Sequence, residues 1–305
     1  MPFQLYKKQE QCALLDFYRN DKINNPALYL PSDDLVDAVN VALALGQPLL
    51  LTGEPGTGKT QLAYHVSHQF DLGKPLIFNA QTSSVATDLF YKYDALGHFQ
   101  YNQNNKEPLT LNELEKRFIN FNALGEAIRQ QKRLVVLIDE IDKAPRDFTN
   151  DLLFNIENLS FKIPELDNKE YASADNLRPI IIMTSNSEKN LPDAFLRRIA
   201  YFHIPFPTPE DLLTILSRKT DGLSEVDLKS AIAYFQSVRD MKLKKAPATS
   251  ELIYWVVLLQ QLLFPFSKLN SGKFSEQERS QLQMSYAVLA KNKEDLETLK
   301  NSILL

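Results

Sequence analysis

The chain has 305 residues, 44% apolar and 24% charged, a composition that suits a folded protein of about two domains and excludes a disordered one. Its 34 Lys and Arg against 38 Asp and Glu leave a formal charge of -4, which argues against a broadly basic surface for coating nucleic acid. Cys12 is the only cysteine, so an intramolecular disulfide is excluded and a cysteine-based metal site is not expected.

The first 20 residues carry charges throughout and lack the apolar core of a signal peptide. No stretch reaches the roughly 20 apolar residues of a membrane span. The expectation is a full-length cytoplasmic chain. Residues 1–28 read as an N-terminal extension. Residues 32–46 predict a helix: Ser32 or Asp33 caps it, and Leu35, Val36, Val39, Ala42 and Leu43 recur at three-to-four spacing before Gly46.

Residues 48–52 (PLLLT) are a wholly apolar run, as expected of a strand covered on both faces. A glycine-rich turn and the helix-like KTQLAYHVSHQF follow. Further apolar runs lie at 75–79 (PLIFN), 134–138 (LVVLI), 179–183 (PIIIM) and 200–204 (AYFHI). Helical stretches separate them, such as 149–159, where Leu152, Leu153, Ile156 and Leu159 share a face. Strands alternating with helices predict an α/β domain at 29–206, with a five-stranded parallel sheet between helical layers. Three prolines in FHIPFPTPE (202–210) mark a boundary, and from Pro207 only helix patterns remain. Residues 207–305 predict a small all-α domain.

Glycine is scarce, nine in all, yet Gly53, Gly56 and Gly58 fall within six consecutive positions. Gly53, Glu54, Pro55, Gly56, Thr57, Gly58, Lys59 and Thr60 spell the phosphate-loop pattern G-x-x-x-x-G-K-[ST] between an apolar strand and a helix. Glycines let the backbone curl so that successive N–H groups point at phosphate oxygens, and the following helix adds its positive end. Lys59 would bridge the β- and γ-phosphates and Thr60 would offer its hydroxyl to Mg²⁺, with Gln61 next in the nucleotide-binding stretch. A nucleotide with Mg²⁺ is the expected ligand, in a P-loop NTPase fold.

The run 134–138 delivers Asp139 and Glu140 at its C-terminal end, where ligands of open parallel sheets bind. Asp139 would anchor Mg²⁺ together with Thr60. Glu140 is placed to orient and polarise an attacking water. Acids also cap helices after strands, a role that suits Asp142. The strand 179–183 ends in Thr184, Ser185 and Asn186. Asn186 is either a turn residue or an amide that senses the γ-phosphate and the lytic water. LPDAFLRR (191–198) ends in paired Arg197 and Arg198, whose permanent charge suits a transition-state phosphoryl oxygen, although such pairs are also found solvated.

In combination and order, LLLTGEPGTGKT, LIDEIDKAP, MTSN and LPDAFLRR resemble the AAA+ ATPases, and within them the MoxR group. The resemblance covers the chain from about Tyr29 into the helical domain. It implies an ATP hydrolase with a helical lid, in a ring that is usually hexameric. Arg198 is then the arginine finger, acting on a neighbour's nucleotide, with Arg197 second. The stretch 91–101 (YKYDALGHFQY) looks like an inserted hairpin with alternating aromatics around a glycine turn, and 160–177 like a second. In that family such inserts face the ring axis and engage a protein client, often beside a von Willebrand A-domain partner. A nucleic-acid-directed motor or restriction-type NTPase is the alternative. Pro247-Ala-Thr-Ser-Glu-Leu252 departs from the family pattern: Ser250 stands where a phosphate-touching lid arginine is common, and Lys244 and Lys245 lie near.

Other signals carry less. Asn292-Lys-Glu-Asp295 spells a guanine-selecting pattern, yet it follows no strand and reads as a solvated helix face. His65 and His68 share a helix face without the rest of a metal motif.

Overall fold

The computed structural model describes residues 21–105, 107–187 and 191–302. The expected N-terminal extension therefore lies largely outside the described residues, as do Cys12 and the side chain of Leu153. The chain divides into two units, one of residues 31–53 and 59–204, the other of 1–30, 54–58 and 205–305. The observed division falls after Ile204, and the turn 54–58 groups with the helical unit.

The α/β unit begins with α1 (Asp33–Leu45), whose N-cap Ser32 accepts a hydrogen bond from Leu35 N–H and whose C-cap is left-handed Gly46. The elements β1 (Leu49–Gly53), α2 (Lys59–Gln69) and β2 (Leu76–Asn79) follow. Next come β3 (Tyr91–Tyr93), α3 (Ala95–Asn104), α4 (Leu111–Phe118), β4 (Ile119–Phe121) and α5 (Ala123–Arg129). The unit continues with β5 (Val135–Asp139), α6 (Arg146–Asn158), β6 (Ser160–Ile163), β7 (Lys169–Ala172), β8 (Ile180–Thr184), α7 (Asp193–Leu196) and β9 (Ala200–Ile204).

The main sheet has the order β2-β5-β8-β1-β9 with every pairing parallel. It is the five-stranded P-loop NTPase sheet flanked by helices that the alternation predicts. The three inner strands are buried along their length except at the two ends Asp139 and Ile180. The edge strands β2 and β9 instead alternate between covered and open positions, leaving Ile77 and Tyr201 exposed. Coverage on both faces thus holds for the middle of the sheet and not for its rims, where neighbours are missing on one side. Leu50, Val136, Ile138, Ile181 and Met183 form the centre of the core.

Residues 91–101 do not make a hairpin of their own. After β3, Asp94 accepts a hydrogen bond from Gly97 N–H at 2.9 Å and starts α3. A Cβ on Gly97 would lie 2.3 Å from Asp94 Oδ2, so this glycine serves a helix cap and not a strand turn. The antiparallel partner of β3 is β4, beyond both inserted helices, in the register Tyr91 to Phe121. Residues 160–172 do fold back on themselves, with Ser160 opposite Ala172. The two inserts meet through rings: Phe161 lies 4.9 Å from Phe90 and 5.2 Å from Tyr171, and Tyr171 lies 5.4 Å from Phe121. A Lys169–Glu115 ion pair at 2.5 Å and a Tyr91 hydroxyl bond to Glu165 at 3.1 Å tie them further.

The helical unit holds α8 (Pro209–Lys219), α9 (Glu225–Asp240), α10 (Thr249–Gln261), α11 (Ser267–Ser271), α12 (Glu276–Leu289) and α13 (Lys293–Ser302). Thr208, Ser224 and Ser275 open α8, α9 and α12 with capping boxes. Phe235, Trp255, Leu282 and Tyr286 fill its core, and Trp255 Nε1 donates to Ser285 Oγ at 2.8 Å. Residues 21–30 belong here: Ile23 packs on this core, and Lys219 donates to its carbonyl. Among the described residues no helix is long and apolar enough to cross a membrane.

Candidate active site

The strand order brings the chemistry together. Because β8 runs between β5 and β1, the C-terminal ends of all three lie side by side. In open parallel sheets that edge is where ligands bind. Gly53 ends β1 and Lys59 opens α2. The intervening turn needs its glycines: Gly53, Gly56 and Gly58 have φ of 143°, 77° and 94°, values that side-chain-bearing residues rarely adopt. Thr57 fastens the turn by donating to the Glu54 carbonyl at 2.8 Å. Pro55 lies in its exposed part.

Lys59 is buried to 7% exposure, and its ammonium donates to the Gly53 carbonyl at 2.8 Å. The charge is therefore held against the end of β1, where the phosphate turn begins. Thr60 donates its hydroxyl to Asp139 Oδ1 at 3.0 Å. A threonine hydroxyl and a carboxylate in contact are the hard oxygen donors that Mg²⁺ takes when nucleotide phosphates supply further ligands. The residues present thus fit Mg²⁺ with a nucleotide. Gln61 follows in the first turn of α2, partly buried.

Thr184, at the end of β8, was not among the sequence candidates for the site. It is buried to 1%, donates to Asp139 Oδ1 at 2.5 Å and accepts from the Glu140 N–H at 2.9 Å. One hydroxyl therefore fixes both acids. The second bond matters because Glu140 has left-handed backbone, φ 55° and ψ 47°, which costs a residue with a side chain about 1 kcal/mol or more. The Glu140 carboxylate turns to Lys143, with which it forms an exposed ion pair.

Asp142 does not cap a helix with its side chain. Its Oδ1 accepts from the Asn186 N–H at 3.2 Å, so it joins the β8 end to the β5 end. The Asn186 side chain is exposed at that edge. Arg197 forms the C-cap of α7 and is exposed. Arg198 Nε pairs with Glu157 Oε1 at 2.7 Å, half exposed.

Residues 48–199 match the family model AAA domain (dynein-related subfamily). No curated protein matches the chain. Among solved structures, a single-residue variant of Thermotoga maritima RuvB is similar at 12% identity and TM-score 0.46, over 88% of this chain and 67% of that one. The Thermotoga maritima RuvB Holliday junction branch migration motor gives 12% and 0.43 over the same shares. The FIGL-1 AAA domain in complex with ADP is 14% identical with TM-score 0.40, over 83% and 75%. The matched stretch, just under half of the chain, holds the phosphate turn, both acids and the β8 end, and the match supports an AAA+ ATPase domain of the dynein-related subfamily over these residues.

Proposed function

We propose that this protein hydrolyses Mg-ATP and couples the reaction to remodelling a protein client, as a MoxR-type ring that the family resemblance makes hexameric. The observation that carries the reading is the meeting of Thr60 with Asp139 beside Glu140 at one end of the sheet. Bound Mg²⁺ would draw charge from the transferred phosphoryl group. Lys59 holds the β- and γ-phosphates, and the turn N–H groups orient them. Glu140 leaves Lys143 to accept a proton from the attacking water. Asn186 aligns that water, and Arg198, just beyond α7, leaves Glu157 to reach a neighbour's nucleotide. Arg197 stands beside it.

Exposed Leu96 and Phe99 on α3 suit contact with a protein client. The insert that carries them shares one aromatic cluster with the second, which supports their moving as a piece. A partner with a von Willebrand A domain fits the same reading.

ATP turnover per subunit, followed as protein concentration rises, tests it. Turnover should climb with concentration, and Arg198→Ala should lose that climb. Glu140→Gln should bind ATP yet turn over at most about 1% as fast, and Lys59→Ala should lose most nucleotide affinity. Hydrolysis by Glu140→Gln at the normal rate would remove the assigned base. Steep, salt-sensitive stimulation by DNA would instead favour a nucleic-acid motor.

A further inference from the structure

The helical unit has Ser250 and no arginine at position 250, and of the two nearby lysines Lys244 turns its ammonium to Glu294 at 2.5 Å. An arginine nevertheless reaches the phosphate turn from elsewhere. Arg239, in the last turn of α9, places Nη2 3.0 Å from Glu54 Oε2, within the same unit. Its side chain is only 16% exposed. The guanidinium also lies 3.5 Å from the Phe206 ring centroid, and Nη1 donates to the Pro247 carbonyl.

Three kinds of contact therefore fix one planar cation: a carboxylate, a carbonyl and a ring face. The Pro247 contact has a second consequence. Residues 248–250 lie directly against Gly56, since a Cβ there would be 2.6 Å from Ser250 Oγ and 2.8 Å from the Ala248 Cβ. Arg239 thus grips both sides of one contact, the turn through Glu54 and the stretch 247–250 through its first carbonyl.

Glu54 itself poses a physical problem. It stands at the first variable position of a turn whose N–H groups are to receive a polyphosphate, and a bare carboxylate there repels that ligand. We infer that Arg239 is a positioning residue that neutralises Glu54 and holds the turn 54–58 in shape for a nucleotide polyphosphate, without itself touching the phosphates. The inference rests on the nucleotide-binding reading above and adds to it a residue that the motifs do not include.

A two-residue cycle on the full chain tests it, with ATP and ADP affinity measured by displacement of a fluorescent nucleotide and turnover measured alongside. Arg239→Ala should weaken both nucleotides about ten-fold, raising KM for ATP while leaving kcat within about two-fold. Glu54→Gln should tighten binding about two- to three-fold, because the turn then loses a negative charge while Arg239 stays held by the Pro247 carbonyl and the Phe206 ring. The double variant should return to within about three-fold of the wild type, since the offending carboxylate has gone. Thermal melting of each variant shows whether it is folded.

If the folded double variant binds as weakly as Arg239→Ala, neutralising Glu54 is not what Arg239 does and the inference falls. If Arg239→Ala binds like the wild type, it falls as well. A folded wild type that binds no nucleotide overturns the phosphate-turn reading, and this inference with it.

Discussion

Asp139 and Asp295 are each held by several donors, and of the two only Asp139 belongs to the candidate active site. Asp139 receives the hydroxyls of Thr60 and Thr184. Asp295 receives the backbone N–H groups of Lys244 and Lys245 at 2.8 and 3.1 Å, and the Asn292 side-chain amide. It is 2% exposed. The donors decide the difference. A hydroxyl has lone pairs as well as a proton, so Thr60 can turn from Asp139 to a cation and leave the carboxylate free to follow. A backbone N–H has nothing to offer a cation and no other way to be satisfied when buried. Asp295 is therefore a clamp on the 244–245 segment, and the four letters Asn292-Lys-Glu-Asp295 spell a helix start, with Asn292 Oδ1 accepting from Asp295 N–H at 2.8 Å.

The largest expected effect comes from removing the charge at the first site. Asp139→Asn keeps the shape and should leave folding nearly intact while lowering turnover about 100- to 1,000-fold, with the loss concentrated in Mg²⁺ dependence. Raising Mg²⁺ should recover part of the rate. Turnover within ten-fold of the wild type at low Mg²⁺ would remove Asp139 from the ion site.

The second carboxylate should behave in the opposite way. Asp295→Ala strands two N–H groups and should cost about 2 kcal/mol of stability, read by urea denaturation, while ATP turnover of the folded fraction stays unchanged. Burial works against the charge on Asp295, but the Lys244 and Lys245 N–H groups and Asn292 outweigh it and hold the carboxyl below the usual Asp range. A lowered folded-state value means that its contribution is present above the ordinary Asp value, near 4, and is lost as pH falls through the lowered one. The wild type should thus lose stability below about pH 4 more steeply than Asp295→Ala does. Parallel acid curves for the two proteins would contradict the clamp.

How far the sequence discloses each site follows from the same contrast. The three inner strands are legible because short Val, Ile and Leu runs bounded by Pro, Gly or charge suit the covered middle of a sheet, and β2 and β9 are legible as shorter apolar runs in the same alternation with helices. The phosphate turn is legible because its glycine spacing is a backbone requirement. Thr184 is not legible as a site residue, since nothing local shows that β8 inserts between β5 and β1; that is a property of strand order. Asp295 reads as solvated because its donors lie about fifty positions earlier in the chain. Arg239 is hidden likewise, as one basic residue closing an amphipathic helix. The 91–101 stretch misleads for a different reason: its aromatic alternation is real over β3, but Asp94 captures Gly97 N–H and turns the chain into α3 before a hairpin can close.

The smallest effect tests whether one hydroxyl does link the two acids. Thr184→Val has nearly the same shape, so the buried position stays filled while Asp139 loses a donor and the Glu140 N–H loses its acceptor. Glu140 would then keep its left-handed backbone with less to hold it there, and its carboxylate would sample more positions around the water it must activate. Turnover should fall about ten-fold, equivalent to about 1.4 kcal/mol in the barrier, with ATP affinity changed by less than about two-fold. Thr184→Ser restores the hydroxyl and should recover most of the rate. A loss in Ser as large as that in Val would mean that the hydroxyl alone does not restore the site, which contradicts its role as the link, and no loss in either would mean that Glu140 is placed without Thr184.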